Sequence, residues 1–194
     1  MKDQDIKNKF LTELEQLVIF NDFEKDLLMK YISPFYVKKG EIYQSEGDIP
    51  QYMSFVLDGL MRKFVYSEDG VDLTLDFSLV PGVFNSYDEF IAQKPAKEYI
   101  QAMTDGVIMQ IHHKNFEILF KKSDAVKNYT IKIMQIMIKN AQERIYDMTH
   151  KSAAQRYVKL LDCHQDKLGN IPLMHISSYL GIRPQSLSRL RKVK

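Results

Sequence analysis

The sequence predicts an α+β chain: a β jelly-roll barrel, then one long helix, then a small helical end carrying a helix–turn–helix. Three observations predict it. Short alternating strands separated by turn signals fill residues 34–112. A helical apolar pattern then runs unbroken over 123–149. Finally, "HISSYLGIRPQSLSRLR" (175–191) places two short helical segments around Gly181. With 194 residues and 45% hydrophobic content, the chain can fill one large domain, or a medium domain plus a small one.

The first element expected is an amphipathic helix over 5–19, where Ile6, Phe10, Leu14, Leu17 and Val18 recur at helical spacing. Asn21 or Asp22 is placed to cap a second helix running to about Ile32. From Pro34 the period changes. Turn signals at 39–40, 46–48, 58–59 and 69–70 separate short strands. In "DLTLDF", Leu73, Leu75 and Phe77 alternate with polar residues, which predicts that these three face the core. Strands at 99–103 and 107–112 bring the number to about eight, as a sandwich or jelly roll requires. One short helix is expected at 86–94, and another near 114–121.

The long helix shows two apolar faces. Val126, Tyr129, Ile133, Ile136, Met137 and Asn140 form one series; Ile131, Met134, Ile138, Ala141 and Ile145 form the other. A helix apolar on two sides needs two partners. The expectation is that one face packs on the barrel and the other on a twin helix, with Tyr129, Ile133, Ile136, Met137 and Asn140 at the dimer interface. The domain boundary expected near 149–153 divides the chain into 1–122, the linking helix 123–149, and 150–194.

Charge changes sign at that boundary. Residues 151–194 carry nine Lys/Arg against two acids, a net of +7, whereas residues 1–150 carry a net of −5. Such a split points to a polyanion partner for the last segment. Within it, Ile176, Tyr179, Leu180, Leu187 and Leu190 supply the packing residues. Arg183, Gln185, Ser186, Ser188, Arg189 and Arg191 are left for contact with double-stranded DNA. Gln pairs with adenine and Arg with guanine in the major groove, while Ser and further basic groups hold phosphates. Lys192 and Lys194 are expected to touch phosphates only.

Other classes find little support. The single cysteine, Cys163, allows no internal disulfide and no iron–sulfur cluster, and reads as core filler. Five dispersed histidines lack the convergent set of a cupin metal centre, and no nucleophile elbow or phosphate loop occurs, so an enzyme is not expected. No apolar run is long enough to span a membrane. The acidic N-terminus is unlike a secretory signal, and a cytoplasmic location is expected.

Barrel, long helix and helix–turn–helix, in that order, resemble the Crp/Fnr family of bacterial transcription regulators, whose sensor is a cyclic-nucleotide-binding-like jelly roll. "VKKGEIYQSEGD" and "SFVLDGLMRKFVYSEDG" carry the likeness in the barrel; "AAQRYVKLL" and "HISSYLGIRPQSLSRLR" carry it in the terminal part. The resemblance implies a homodimer with residues 1–122 as sensor and 150–194 as DNA-binding domain, with RNA polymerase as a further partner. Base-reading positions fall on Pro184, Gln185 and Arg189; proline lacks the donor and acceptor groups for that task, which leaves Gln185 and Arg189. A β-hairpin wing is the family's usual continuation past this helix; the expectation is that it is either absent or lies beyond Lys194.

The phosphate cassette departs from the pattern. Cyclic-nucleotide binders of the family carry a Gly-Glu pair and then an Arg-Ser-Ala type stretch. The corresponding residues are Ser86 and Tyr87, and Ala96 stands for the Arg, with Lys97 and the acid Glu98 next to it. An effector pocket is therefore expected around Phe84, Asn85, Ser86, Tyr87, Lys97, Glu98 and Tyr99, either taking a small molecule other than cyclic AMP or filled by side chains such as Tyr87 and Tyr99. The competing reading is a cyclic-nucleotide module that signals through a protein partner; it needs the cassette and leaves residues 171–194 without a role.

Overall fold

The computed structural model describes residues 3–79 and 81–192. Helix α1 (Asp3–Glu15) buries Ile6, Phe10 and Leu14. It ends earlier than its apolar series suggests, because the Leu14 carbonyl accepts from both Leu17 and Val18 N–H and closes the last turn. Val18 and Phe20 still reach the core from the non-helical segment that follows. Helix α2 (Asp22–Tyr31) starts with a full capping box: Asn21 Oδ1 accepts from Glu24 N–H, and Glu24 Oε2 accepts from Asn21 N–H.

Eight strands follow: β1 (Ile32–Val37), β2 (Ile42–Gln44), β3 (Tyr52–Asp58), β4 (Met61–Tyr66), β5 (Asp72–Phe77), β6 (Gly82–Val83), β7 (Tyr99–Ala102) and β8 (Gly106–His112). They form two antiparallel sheets, β1-β8-β3-β6 and β2-β7-β4-β5. Strand β1 starts before Pro34 and runs through it. The strand lies at a sheet edge, where a residue without an N–H is tolerated. At the tight β3–β4 connection Gly59 has φ +89°, and a Cβ there would sit 2.8 Å from the Asp105 carbonyl oxygen.

Strand β5 corrects the alternation read from sequence. Leu73 and Leu75 are exposed, and Thr74 is the buried residue. A bulge makes the difference. Lys63 pairs with Asp76 and Phe64 with Thr74, so Leu75 is the extra residue, and Phe77 returns to the core beyond it.

Val37, Val56, Met61, Phe84, Ile100, Ala102 and Ile108 fill the space between the sheets. The outer face of the β1-β8-β3-β6 sheet, through Met53, Phe55, Leu57, Met109 and Ile111, packs on α1, α2 and two later helices. These are α4 (His113–Lys122) and the long α5 (Asp124–His150); a short α3 (Tyr87–Ala92) lies between β6 and β7. The start of α5 is fixed by the buried Glu24, whose Oε1 accepts from Ser123 Oγ at 2.8 Å and Ala125 N–H at 2.9 Å. Although burial opposes it, these hydrogen bonds hold the Glu24 carboxyl below its usual range.

The chain leaves α5 at Lys151, and α6 (Ala153–Leu168) opens with a second capping box between Ser152 and Gln155. Two short helices complete the fold: α7 (Leu173–Tyr179) and α8 (Pro184–Lys192). Leu60, Phe77 and Met103 of the barrel share one buried cluster with Tyr157, Leu160, Ile176 and Leu187 of this terminal part. Among the described residues no helix is long and apolar enough to cross a membrane.

Candidate nucleic-acid interface and effector sites

The α7–α8 pair is a helix–turn–helix whose turn is held from three sides. Gly181 has φ +67°, and its bare Cα admits Met148 of α5, whose Cε would lie 2.8 Å from a Cβ. Arg144, also on α5, stacks over the Tyr179 ring at 4.0 Å and donates to the Tyr179 carbonyl. Arg156 of α6 donates to the carbonyls of Lys151 and Leu180. Two helices therefore grip the turn through its backbone, and its angle follows theirs.

Helix α8 turns Leu187 fully inward, at 0% exposure, and Leu190 partly so. Arg183, Gln185, Ser186, Ser188, Arg189 and Arg191 are all exposed. Their side chains make no hydrogen bond or ion pair with the other described residues. Gln185, Ser188 and Arg189 lie one turn apart on one face. Such a face can meet base edges, with basic groups on both sides. Lys194, and the side chains of Lys192 and Cys163, lie outside the described residues.

The seven residues expected to line one effector pocket do not converge. Phe84 is part of the apolar filling between the sheets. Tyr87 belongs to a different cavity, and Tyr99 stacks on Phe64 with centroids 5.0 Å apart. Lys97 points into solvent, its side chain 84% exposed, and pairs with Glu89 at 3.3 Å. Asn85, Ser86 and Glu98 do come together, joined by Gln44 and Lys63. Gln44 Nε2 donates to Ser86 Oγ at 2.6 Å, and Ser86 Oγ donates to Glu98 Oε1 at 2.8 Å. Lys63 Nζ donates to the Asn85 carbonyl at 2.6 Å and lies 3.7 Å from the Glu98 carboxylate. The stretch that the resemblance aligns with a phosphate cassette thus holds a half-buried carboxylate already engaged by Ser86 and Lys63. A cyclic phosphate there would meet Glu98 at close range and has no Arg to pair with.

A separate cavity of about 60 Å³ lies outside the barrel, between its β1-β8-β3-β6 sheet and α1, α2, α4 and α5. Phe10, Phe55, Val83, Tyr87, Val126 and Met134 are among its almost wholly apolar lining. Tyr129 and Ile133, expected at a dimer interface, line this cavity instead. They face their own protomer's core because α5 lies across α1 in its first turns; Lys132 reaches the Leu17 carbonyl there. Ile136 and Asn140 are exposed, and Met137 is half-buried. The other apolar face stands open: Ile131, Ile138 and Ile145 are 54%, 59% and 65% exposed. With Ala141 these isoleucines follow a heptad spacing that Met134, in the cavity wall, and Met148, against Gly181, continue inward.

His112 caps α4, accepting from Lys114 N–H, and His113 packs edge-on against Phe90. Among the described residues no cluster of His, Cys, Asp and Glu can hold a metal ion.

Sequence reasoning missed a polar joint between barrel and α7. Arg62, the second residue of β4, lies 2% exposed and forms a bidentate pair with Asp72 on β5, at 2.6 and 2.9 Å. It also donates to Thr74 and Gln101, and to His175 Nδ1 of α7 at 2.8 Å. The available signal was a lone Arg inside the apolar strand "GLMRKFVY". A charge within a strand needs a buried partner.

Residues 34–123 match the cyclic nucleotide-binding domain family. No curated protein matches the chain in sequence. Among solved structures, FixK2 from Bradyrhizobium japonicum superposes with a TM-score of 0.71 at 18% identity, covering 83% of each chain. A transcriptional regulator described as of the Crp/Fnr family, from Eubacterium rectale, gives 0.69 at 20% identity over 90% of this chain and 83% of its own. The catabolite activator protein of Thermus thermophilus gives 0.56 at 19% identity, again over 90% and 83%. These structural neighbours are transcription regulators rather than enzymes.

Proposed function

Because residues 34–123 carry a cyclic nucleotide-binding domain and the fold is that of the Crp/Fnr transcription regulators, we propose that the protein is a homodimeric DNA-binding transcription regulator whose sensor responds to a ligand other than a cyclic nucleotide. The observation that carries this reading is α8. Its two leucines face inward, six polar or basic residues stand free, and the whole sits on a segment of net charge +7. RNA polymerase is the further partner such a role implies.

The two α5 helices pair through Ile131, Ile138, Ala141 and Ile145, and each α8 enters a major groove. Half-sites then lie about one helical turn apart. The effector reading favours the apolar cavity over the barrel interior. That cavity is walled by the first turns of α5, so a small uncharged ligand there biases the helix that carries the DNA-binding part.

Duplex binding measured by fluorescence anisotropy across a salt series tests the DNA reading. Affinity is expected to fall by about three orders of magnitude between roughly 50 and 200 mM salt, as neutralised phosphates release counterions. A salt-independent or absent interaction contradicts it. Calorimetry with cyclic AMP and cyclic GMP is expected to show nothing tighter than about millimolar, because Glu98 occupies the phosphate position. Micromolar binding of either nucleotide contradicts the proposed sensor.

A further inference from the structure

We propose that the Arg62–His175 contact is an acid-sensitive latch that fixes the helix–turn–helix against the edge of the barrel. Arg62 is the fixed half. Its guanidinium is held by Asp72, Thr74 and Gln101, and Nη1 reaches out of this cage to His175 Nδ1 at 2.8 Å. A guanidinium has donors only, so Nδ1 must present its lone pair and the ring proton must sit on Nε2. The contact is therefore made by neutral imidazole alone.

Protonation removes the acceptor and sets a second cation beside the guanidinium. The charged groups acting on the ring are Arg62 of β4 and Asp72 of β5. Asp72 lies 3.9 Å from Nδ1, but both its oxygens already accept from Arg62. Burial first, and Arg62 second, push His175 below the ordinary imidazole range, against the opposing pull of Asp72. Docking thus disfavours proton binding. Its contribution is complete above the ordinary value of about 6.5 and is lost as pH falls through the lowered one.

The latch has a built-in reporter. Three residues along the same face of α7, Ser178 Oγ accepts from the Thr74 backbone N–H at 2.9 Å. Strand β5 is the outer strand of its sheet, and this N–H points away from β4. Its acceptor belongs to α7, so release of α7 frees this N–H for exchange. Arg144 and Arg156 hold the far end of α7, which makes release a pivot about the Gly181 turn. The consequence for DNA affinity rests on the DNA-binding reading; the latch itself does not.

Amide hydrogen exchange at Thr74, corrected for intrinsic chemistry, tests it on the full chain. In the wild type, protection is expected to drop severalfold, up to about tenfold, between about pH 7.5 and about pH 5.5, while Met109 in the barrel core keeps its protection. His175→Asn keeps an acceptor where Nδ1 stood and should hold Thr74 protected at both pH values. His175→Arg carries a permanent cation and should leave Thr74 unprotected at both. Equal wild-type protection at the two pH values overturns the latch, as does an acid loss shared by His175→Asn or by Met109. A wild type that opens in acid yet binds no duplex at either pH sinks the DNA-binding reading and leaves the latch standing.

Discussion

Replacing Ile138 and Ile145 together by Lys is expected to turn the dimer into folded monomers. Affinity for a two-half-site duplex should fall by about two orders of magnitude or more, because the second half-site contact becomes bimolecular. Both isoleucines are more than half exposed in the single chain and sit one heptad apart, so a charge there meets nothing in its own protomer. Across a paired helix it meets its own symmetry mate. Sedimentation should read near the 22.8 kDa chain mass for the variant and about twice that for the wild type. Ile133→Lys makes the control. That residue faces the apolar cavity of its own protomer, so its substitution should lower the unfolding midpoint rather than dissociate the dimer. A double Lys variant that stays dimeric would move the interface off this stripe.

Arg189→Ala is expected to cost about 1–3 kcal/mol at one base position of each half-site, with preference at that position relaxed and neighbouring positions unchanged. The geometry sets the expectation. Leu187 fixes the roll of α8, which leaves Arg189 and Gln185 on the outward face with no side-chain partner among the described residues. Arg191→Ala provides the contrast. As a phosphate contact it should weaken all duplexes about equally and reduce the salt dependence by about one counterion. Equal loss on every sequence from both variants would place Arg189 on phosphate instead of a base.

Most of the architecture was legible because it is written in local pattern. The strand punctuation, the long two-faced helix and the Gly181 turn each follow from residue spacing alone. Where the sequence misled, longer-range contacts decided. The register of β5 depends on a bulge against β4, and so Thr74 rather than Leu73 and Leu75 is buried. Two apolar faces on α5 were visible, but which one meets the barrel was not. Packing across α1 assigned Tyr129 and Ile133 inward and freed the isoleucine heptad. A departure from the cassette that the resemblance implies was readable at Ser86 and Ala96. The side chains that occupy the space, Gln44 and Lys63, come from strands distant in sequence. The joint between Arg62 and His175 spans 113 positions. A lone Arg in an apolar strand announced a buried partner without identifying it.

The account rests on α8 as a sequence-reading helix carried by a symmetric dimer, and selection of binding sites from a random duplex pool tests that most directly. The wild type should enrich a near-palindromic site with half-sites about one helical turn apart, and Arg189→Ala should recover the same site with one symmetric pair of positions degenerate. Recovery of no common site by the wild type, or of identical base preferences by both proteins, would contradict it.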